Sequence, residues 1–183
     1  MRVGMSSLLV VSMLGLGLLG SARAARADGM AAASRAADQQ FVQKAYGINQ
    51  AEITLGQMAE RKGASEEVRA YGARMVADHT KGLTELKAAA AKDKVPVPST
   101  LTPEQQKLED ELSGLSGGQF DDVYMKHMVA GHGAAIDVFA QEIALGTSPA
   151  LRKYAEEMLP TLESHESAAD QGEDQLRGSS PAR

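Results

Sequence analysis

Four stretches of this chain repeat apolar residues at steps of three and four, and each repeat is interrupted near its middle by one polar side chain able to bind a metal. Such steps keep residues on one face of a helix with 3.6 residues per turn, so the pattern asks for four amphipathic helices that bury their apolar faces against one another. The first stripe runs Phe41, Ala45, Ile48, Glu52, Leu55, Ala59, and the second Val68, Gly72, Met75, His79, Leu83, Leu86. The fourth runs Leu151, Ala155, Met158, Leu162, His165, Ala169. In the third stretch the row Met125, Met128, His132, Ala135, Phe139, Ile143 competes with a second row through Phe120, Tyr124 and Val138, which leaves the facing of His132 open. Strand signals are essentially absent, and the expected fold is all-α, a four-helix bundle.

Mid-helix positions on inward stripes share one layer of a bundle core, so Glu52, His79, His132 and His165 form a candidate metal site of one carboxylate and three imidazoles. Neutral imidazoles with a carboxylate suit zinc, iron, nickel or copper(II), and the spacing does not choose among them. Asp78, beside His79, is a candidate outer partner for a ligand, as are Met75, Met128 and Met158, although methionine is the usual filler of irregular core gaps. His127 falls about 140° away from His132 and belongs on the surface or rim. The alternative is a structural or protein-interaction module whose imidazoles hydrogen-bond to Glu52, Asp78 or backbone carbonyls, since buried polar groups need partners with or without metal. A His-rich redox enzyme ranks behind both. Convergence separates the first two, because a metal needs the ring nitrogens near 2.1 Å from one point.

A five-residue repeat, MVADH at 75–79 and MVAGH at 128–132, puts a thioether and an imidazole one turn apart on two helices, a pairing suited to copper. The chain has no cysteine, no G-x-S-x-G elbow, no Gly-rich phosphate loop and no H-E-x-x-H, so covalent or nucleotide chemistry is not expected and the protein is read as a non-enzyme.

The chain opens with MRVGMSSLLVVSMLGLGLLGSARAARADG: Arg2, an apolar run from Leu8 to Leu19, and small residues in A-x-A spacing. This is the pattern of a secretory signal peptide over residues 1–24, with cleavage after Ala24 or Ala27. The run is short of the roughly 20 residues that span a bilayer, so no transmembrane segment is expected after processing, and the expected compartment is the periplasm. Loss of Arg2 and Arg23 takes the formal charge from −5 to −7. With that acidity, no Trp and few other aromatics, nucleic acid is not an expected partner. Without cysteine, stability rests on core packing, with a metal ion as the one expected aid; an oligomer is compatible with the pattern.

Residues 25–37 are small and weakly patterned and read as a tether, 38–172 as the bundle, and 173–183 as a disordered tail. Gly63 ends the first helix and Ser65 caps the second, which makes these two antiparallel. VPVPST and a short helix opened by Thr102, Pro103 and Gln105 follow. Helices of about 25 residues are near 38 Å long, a distance this connection can cover, in which case the second and third long helices run parallel. Ser116 with Gln119 is spaced as a capping box for the third long helix, and Ser148 with Pro149 opens the fourth. Pro160 should kink that helix or open a new segment within it.

Three segments carry a family resemblance: FVQKAYGINQAEITLGQMAERKGASEEVRAYGARMVADHTKGLTEL, FDDVYMKHMVAGHGAAIDVF and LRKYAEEMLPTLESHESAAD. Across about residues 38–170 the chain resembles the bacterial exported "predicted outer membrane protein" family, domain of unknown function 4142, and the resemblance implies a ferritin-like bundle with one long crossover. The chain lacks the alternation of a membrane β-barrel, which favours the periplasm over the outer membrane. A weaker similarity runs to periplasmic helical proteins associated with copper, though this chain has no His-His doublet. The di-iron ferritin-like enzymes use Glu-x-x-His pairs; here Val76, Val129 and Leu162 stand three residues before the histidines, so bridging carboxylates are missing.

Overall fold

The computed structural model describes residues 16–100 and 103–179. The chain divides into two units, Met1–Ser34 and Arg35–Arg183. Five helices follow in order: α1 Leu16–Lys62, α2 Glu66–Lys92, α3 Pro103–Ser113, α4 Gly117–Leu145 and α5 Pro149–Ser179. Among the described residues there is no strand, and no helix is long and apolar enough to cross a membrane. Much of the expected signal peptide, residues 1–15, lies outside the described residues, as do Thr102 and the last four residues. The expected tether is helical within α1. Helix α5 also continues to Ser179, where the sequence pattern suggested a disordered tail: Leu176 packs on the core, and Arg177 pairs with Glu173 one turn back.

Hydrogen bonds at the two ends of the second unit define its topology. At one end the amides of Ala64 and Ser65, ahead of α2, donate to the Asp121 carboxylate at the start of α4 (2.9 and 2.8 Å), and Lys62 donates to the carbonyls of Ser113 and Leu115. At the other, the amides of Thr147 and Ser148 donate to Asp38 on α1, Ser148 Oγ bonds Asp93 just after α2, and Gln39 donates to the Pro96 carbonyl at 2.9 Å. Helices α2 and α4 therefore start at one end and finish at the other. They are parallel, and the segment between them crosses the bundle length, the one-crossover arrangement of ferritin-like folds. Ser65 Oγ accepts from Val68 N and Ser148 Oγ from Leu151 N, as caps should. Ser116 occupies the N-cap of α4 but makes no side-chain cap bond, so the expected capping box is not formed; Gly117, at φ 64°, makes the turn into the helix instead. Helix α5 runs unbroken through Pro160, which is exposed.

The core has two apolar clusters with a polar layer between them. One gathers Phe41, Leu86, Phe139, Leu151 and Tyr154; the other Leu55, Tyr71, Leu112, Phe120 and Tyr124. Along every long helix the metal-capable residue falls between members of the two: Glu52 between Ala45 and Leu55, His79 between Met75 and Leu86, His132 between Met128 and Ala135, His165 between Leu162 and Ala169. Both apolar rows of α4 are buried through Tyr124 and Met125, and His132 faces the core. Helices α1 and α2 approach closely enough that a Cβ on Gly72 would stand 2.6 Å from Ala59 Cβ and 2.7 Å from the Gly56 carbonyl oxygen.

Candidate metal centre

The three histidines arrive from three helices and are buried, at 0%, 1% and 0% exposure for His79, His132 and His165. Their ring centroids are 5.2 to 5.8 Å apart, and one nitrogen of each lies within 4.8 Å of the others. Three atoms no farther apart than that share a point within about 2.8 Å of each, so shifts of under about 1 Å reach the 2.0–2.1 Å of a metal–imidazole bond.

The outer nitrogen of each ring is held by an acceptor. His132 Nδ1 is 2.9 Å from the Met128 carbonyl oxygen, His165 Nε2 is 2.9 Å from Asp78 Oδ2, and His79 Nδ1 is 3.1 Å from Asn49 Oδ1. The Asn49 amide is oriented by its own bonds: Nδ2 donates to the Ala45 carbonyl at 2.7 Å and to the Tyr154 hydroxyl at 3.0 Å, which turns Oδ1 to His79. A carbonyl or carboxylate can only accept, so each outer nitrogen carries the proton and each remaining nitrogen keeps a lone pair. Those remaining atoms, His79 Nε2, His132 Nε2 and His165 Nδ1, are buried without any hydrogen-bond partner.

Electrostatics keep the rings neutral. Burial pushes His79 down to about 2, helped by its two histidine neighbours, and His132 down to about 4 against the pull of the Met128 carbonyl. Burial also lowers His165, with the Asp78 hydrogen bond acting in the opposite sense. The result is three neutral, oriented donors buried in one layer, each with a nitrogen that no protein group satisfies, which is costly unless something binds it.

Glu52 is buried in the same layer, and its Oε2 has no hydrogen-bond partner. It stands outside the set of atoms that all fall within 4.8 Å, which comprises the histidines alone. Burial pushes its carboxyl up to about 8. Asp78 serves His165 on the neighbouring helix and not His79 beside it in sequence, because a residue about 100° round α2 from His79 faces α5. Met75 and Met128 pack in one apolar cluster and Met158 in the other, with Met128 also serving through its carbonyl. His127 is half-buried.

Asn49 was not anticipated, although the sequence carries a signal for it: it follows Ala45 by four and precedes Glu52 by three on the same face. The inward face of α1 runs through Asn49, with Ile48 only partly buried, as a straight stripe drifts on a 3.6-residue helix. Tyr71 also closes the layer, donating to the His165 carbonyl at 3.1 Å.

Comparison with known proteins agrees with the fold. A crystal structure of a DUF305 fragment from Deinococcus radiodurans superposes with a TM-score of 0.66 at 14% identity, covering 76% of this chain and 96% of that one. No functionally curated protein matches. The sequence pattern of DUF4142, a domain of unknown function, matches residues 22–171.

Proposed function

This chain belongs to the DUF4142 family, and we propose that its bundle binds one transition-metal ion between α2, α4 and α5, as an exported protein of the cell envelope engaged in metal handling or stress tolerance. One observation carries the reading: three buried imidazoles each hold one nitrogen on an acceptor and keep the other unpartnered, and a ligand atom from each ring lies within 4.8 Å of those of the other two. Outward tethering that sets the tautomer and aims the free nitrogen is how metal-binding histidines are usually held. Glu52, buried in the same layer with an unpartnered oxygen, is the candidate fourth ligand, and a set of three imidazoles with or without a carboxylate suits zinc or copper; iron is the third candidate. The alternative, a polar layer satisfied by hydrogen bonds alone, leaves four buried atoms of that layer unpaired. Export is supported by the N-terminal run, which ends before the family match begins at residue 22.

The test is the metal content of the processed protein, with thermal melts before chelation, after it, and after adding zinc, copper(II) or iron. One ion per chain is expected, with a melting temperature that falls on chelation; a ligand at about 100 times its Kd stabilises by about 2.7 kcal/mol. A metal-free protein indifferent to all three ions refutes the reading. Removal of the N-terminal segment and recovery from the periplasm, read by mass spectrometry, test export separately.

A further inference from the structure

The residue before the histidine differs between the two copies of the Met-Val-Ala-x-His repeat. In α2 it is Asp78, and it closes the seam with α5. Asp78 bonds His165, Arg74 Nε stands 3.5 Å from the same carboxylate oxygen, and Arg74 also donates to Ser164 Oγ at 3.0 Å.

In α4 the corresponding residue is Gly131, exposed in the middle of a helix. Alanine is more stable at such a position, and no neighbouring backbone excludes it here as at Gly72. The one atom that a Cβ on Gly131 would meet within 4 Å is Glu52 Oε1, at 3.8 Å. Gly131 lines a groove of about 400 Å³ between α1 and α4, with Gln43, Lys44, Ile48 and Ala134. Glu52 is the most accessible of the four polar residues in the layer, at 7% against 0–1% for the histidines, and its Oε2 has no partner. The missing side chain thus leaves a thin window over a buried carboxyl group. Lys44 at the groove edge is exposed, where a long side chain keeps its ammonium in water.

Resting on the metal reading above, we propose that the ion reaches the centre through the α1–α4 seam at Gly131, with Glu52 as the first ligand it meets. The α2–α5 seam stays latched by Arg74, Asp78 and Ser164, and Glu52 passes the ion inward to the three nitrogens.

Rapid mixing of cobalt(II) with the metal-free protein, followed by visible absorption, tests the route. Gly131→Leu should slow uptake by about tenfold or more, because a blocked path must wait for a conformational opening, with the final stoichiometry unchanged. Gly131→Ala, shorter and favourable to the helix, should slow it by a smaller factor and keeps the test available if the leucine variant fails to fold. Arg74→Ala should leave the uptake rate unchanged. Equal rates in wild type and both position-131 variants overturn the route, as does faster uptake in Arg74→Ala with no effect at position 131. A wild-type protein that takes up neither cobalt(II) nor zinc, copper(II) or iron overturns the metal centre itself, and the route with it.

Discussion

Replacing Glu52 by Gln should stabilise the metal-free protein and weaken the metal-loaded one. In the folded, metal-free protein burial pushes the Glu52 carboxyl from 4.5 up to about 8, so it is protonated at pH 7, while the same group is ionised in the unfolded chain. The sign follows from proton counting. Between those two values the folded state holds one more proton than the unfolded state, so this group's contribution to stability is full below 4.5 and falls as pH rises through the window. The fall is about 1.4 kcal/mol per pH unit, which amounts to about 3 kcal/mol by pH 7. Glutamine has nearly the same shape and does not titrate. The metal-free variant should therefore exceed wild type by about 1 kcal/mol at pH 5.5 and about 3 kcal/mol at pH 7. For a domain of this size the latter is a rise in Tm of roughly 6–12 °C. The histidines titrate in both proteins and cancel in the difference. With metal the order changes, because a cation favours the carboxylate and glutamine cannot supply one. Paired denaturant melts at the two pH values, in chelator and then with excess zinc, measure both signs. A metal-free variant less stable than wild type at pH 7, or a difference that does not grow with pH, refutes the argument.

Removing the outer partner of a ligand should be felt at the metal: Asp78→Ala is expected to cost 10- to 100-fold in affinity by calorimetric titration, and Asp78→Asn, which keeps an acceptor for His165, much less. Asn49→Ala strips partners from both His79 Nδ1 and the Tyr154 hydroxyl, and should lower stability by about 1–3 kcal/mol in chelator as well as reducing metal affinity. Two glycine substitutions should differ in sign when melted side by side. Gly131→Ala, with its Cβ in open contact, should gain up to about 1 kcal/mol from helix propensity. Gly72→Ala, forced against Ala59 and the Gly56 carbonyl, should show a net loss despite the same gain, from an overpacking cost of about 1–3 kcal/mol.

The long helices, their inward stripes and the crossover were legible because each follows from local rules. A period of 3.6 can be counted, Gly63, Ser65 and Ser148 mark helix ends by their own chemistry, and the length of residues 93–116 can be set against the length of a helix. Chain periodicity alone also marked Glu52, His79, His132 and His165 as polar interruptions of apolar stripes, and all four are buried in one layer. What periodicity could not give is how each helix is rotated about its axis and which neighbour each side chain meets, since those are settled by packing among helices distant in sequence. The facing of α4 was open between two rows until contact with the other helices buried both at their shared end. Asp78 lies beside His79 in the chain yet holds His165, 87 residues away, and Asn49 reaches His79 only because α1 lies against α2. The sequence by itself determined that four helices bury apolar stripes and that each stripe is interrupted by one of Glu52, His79, His132 and His165. The tertiary structure decided which nitrogen of each imidazole is tied back and which is left free, because that choice belongs to a partner on another helix for His79 and His165, and to the rotation of α4 for His132.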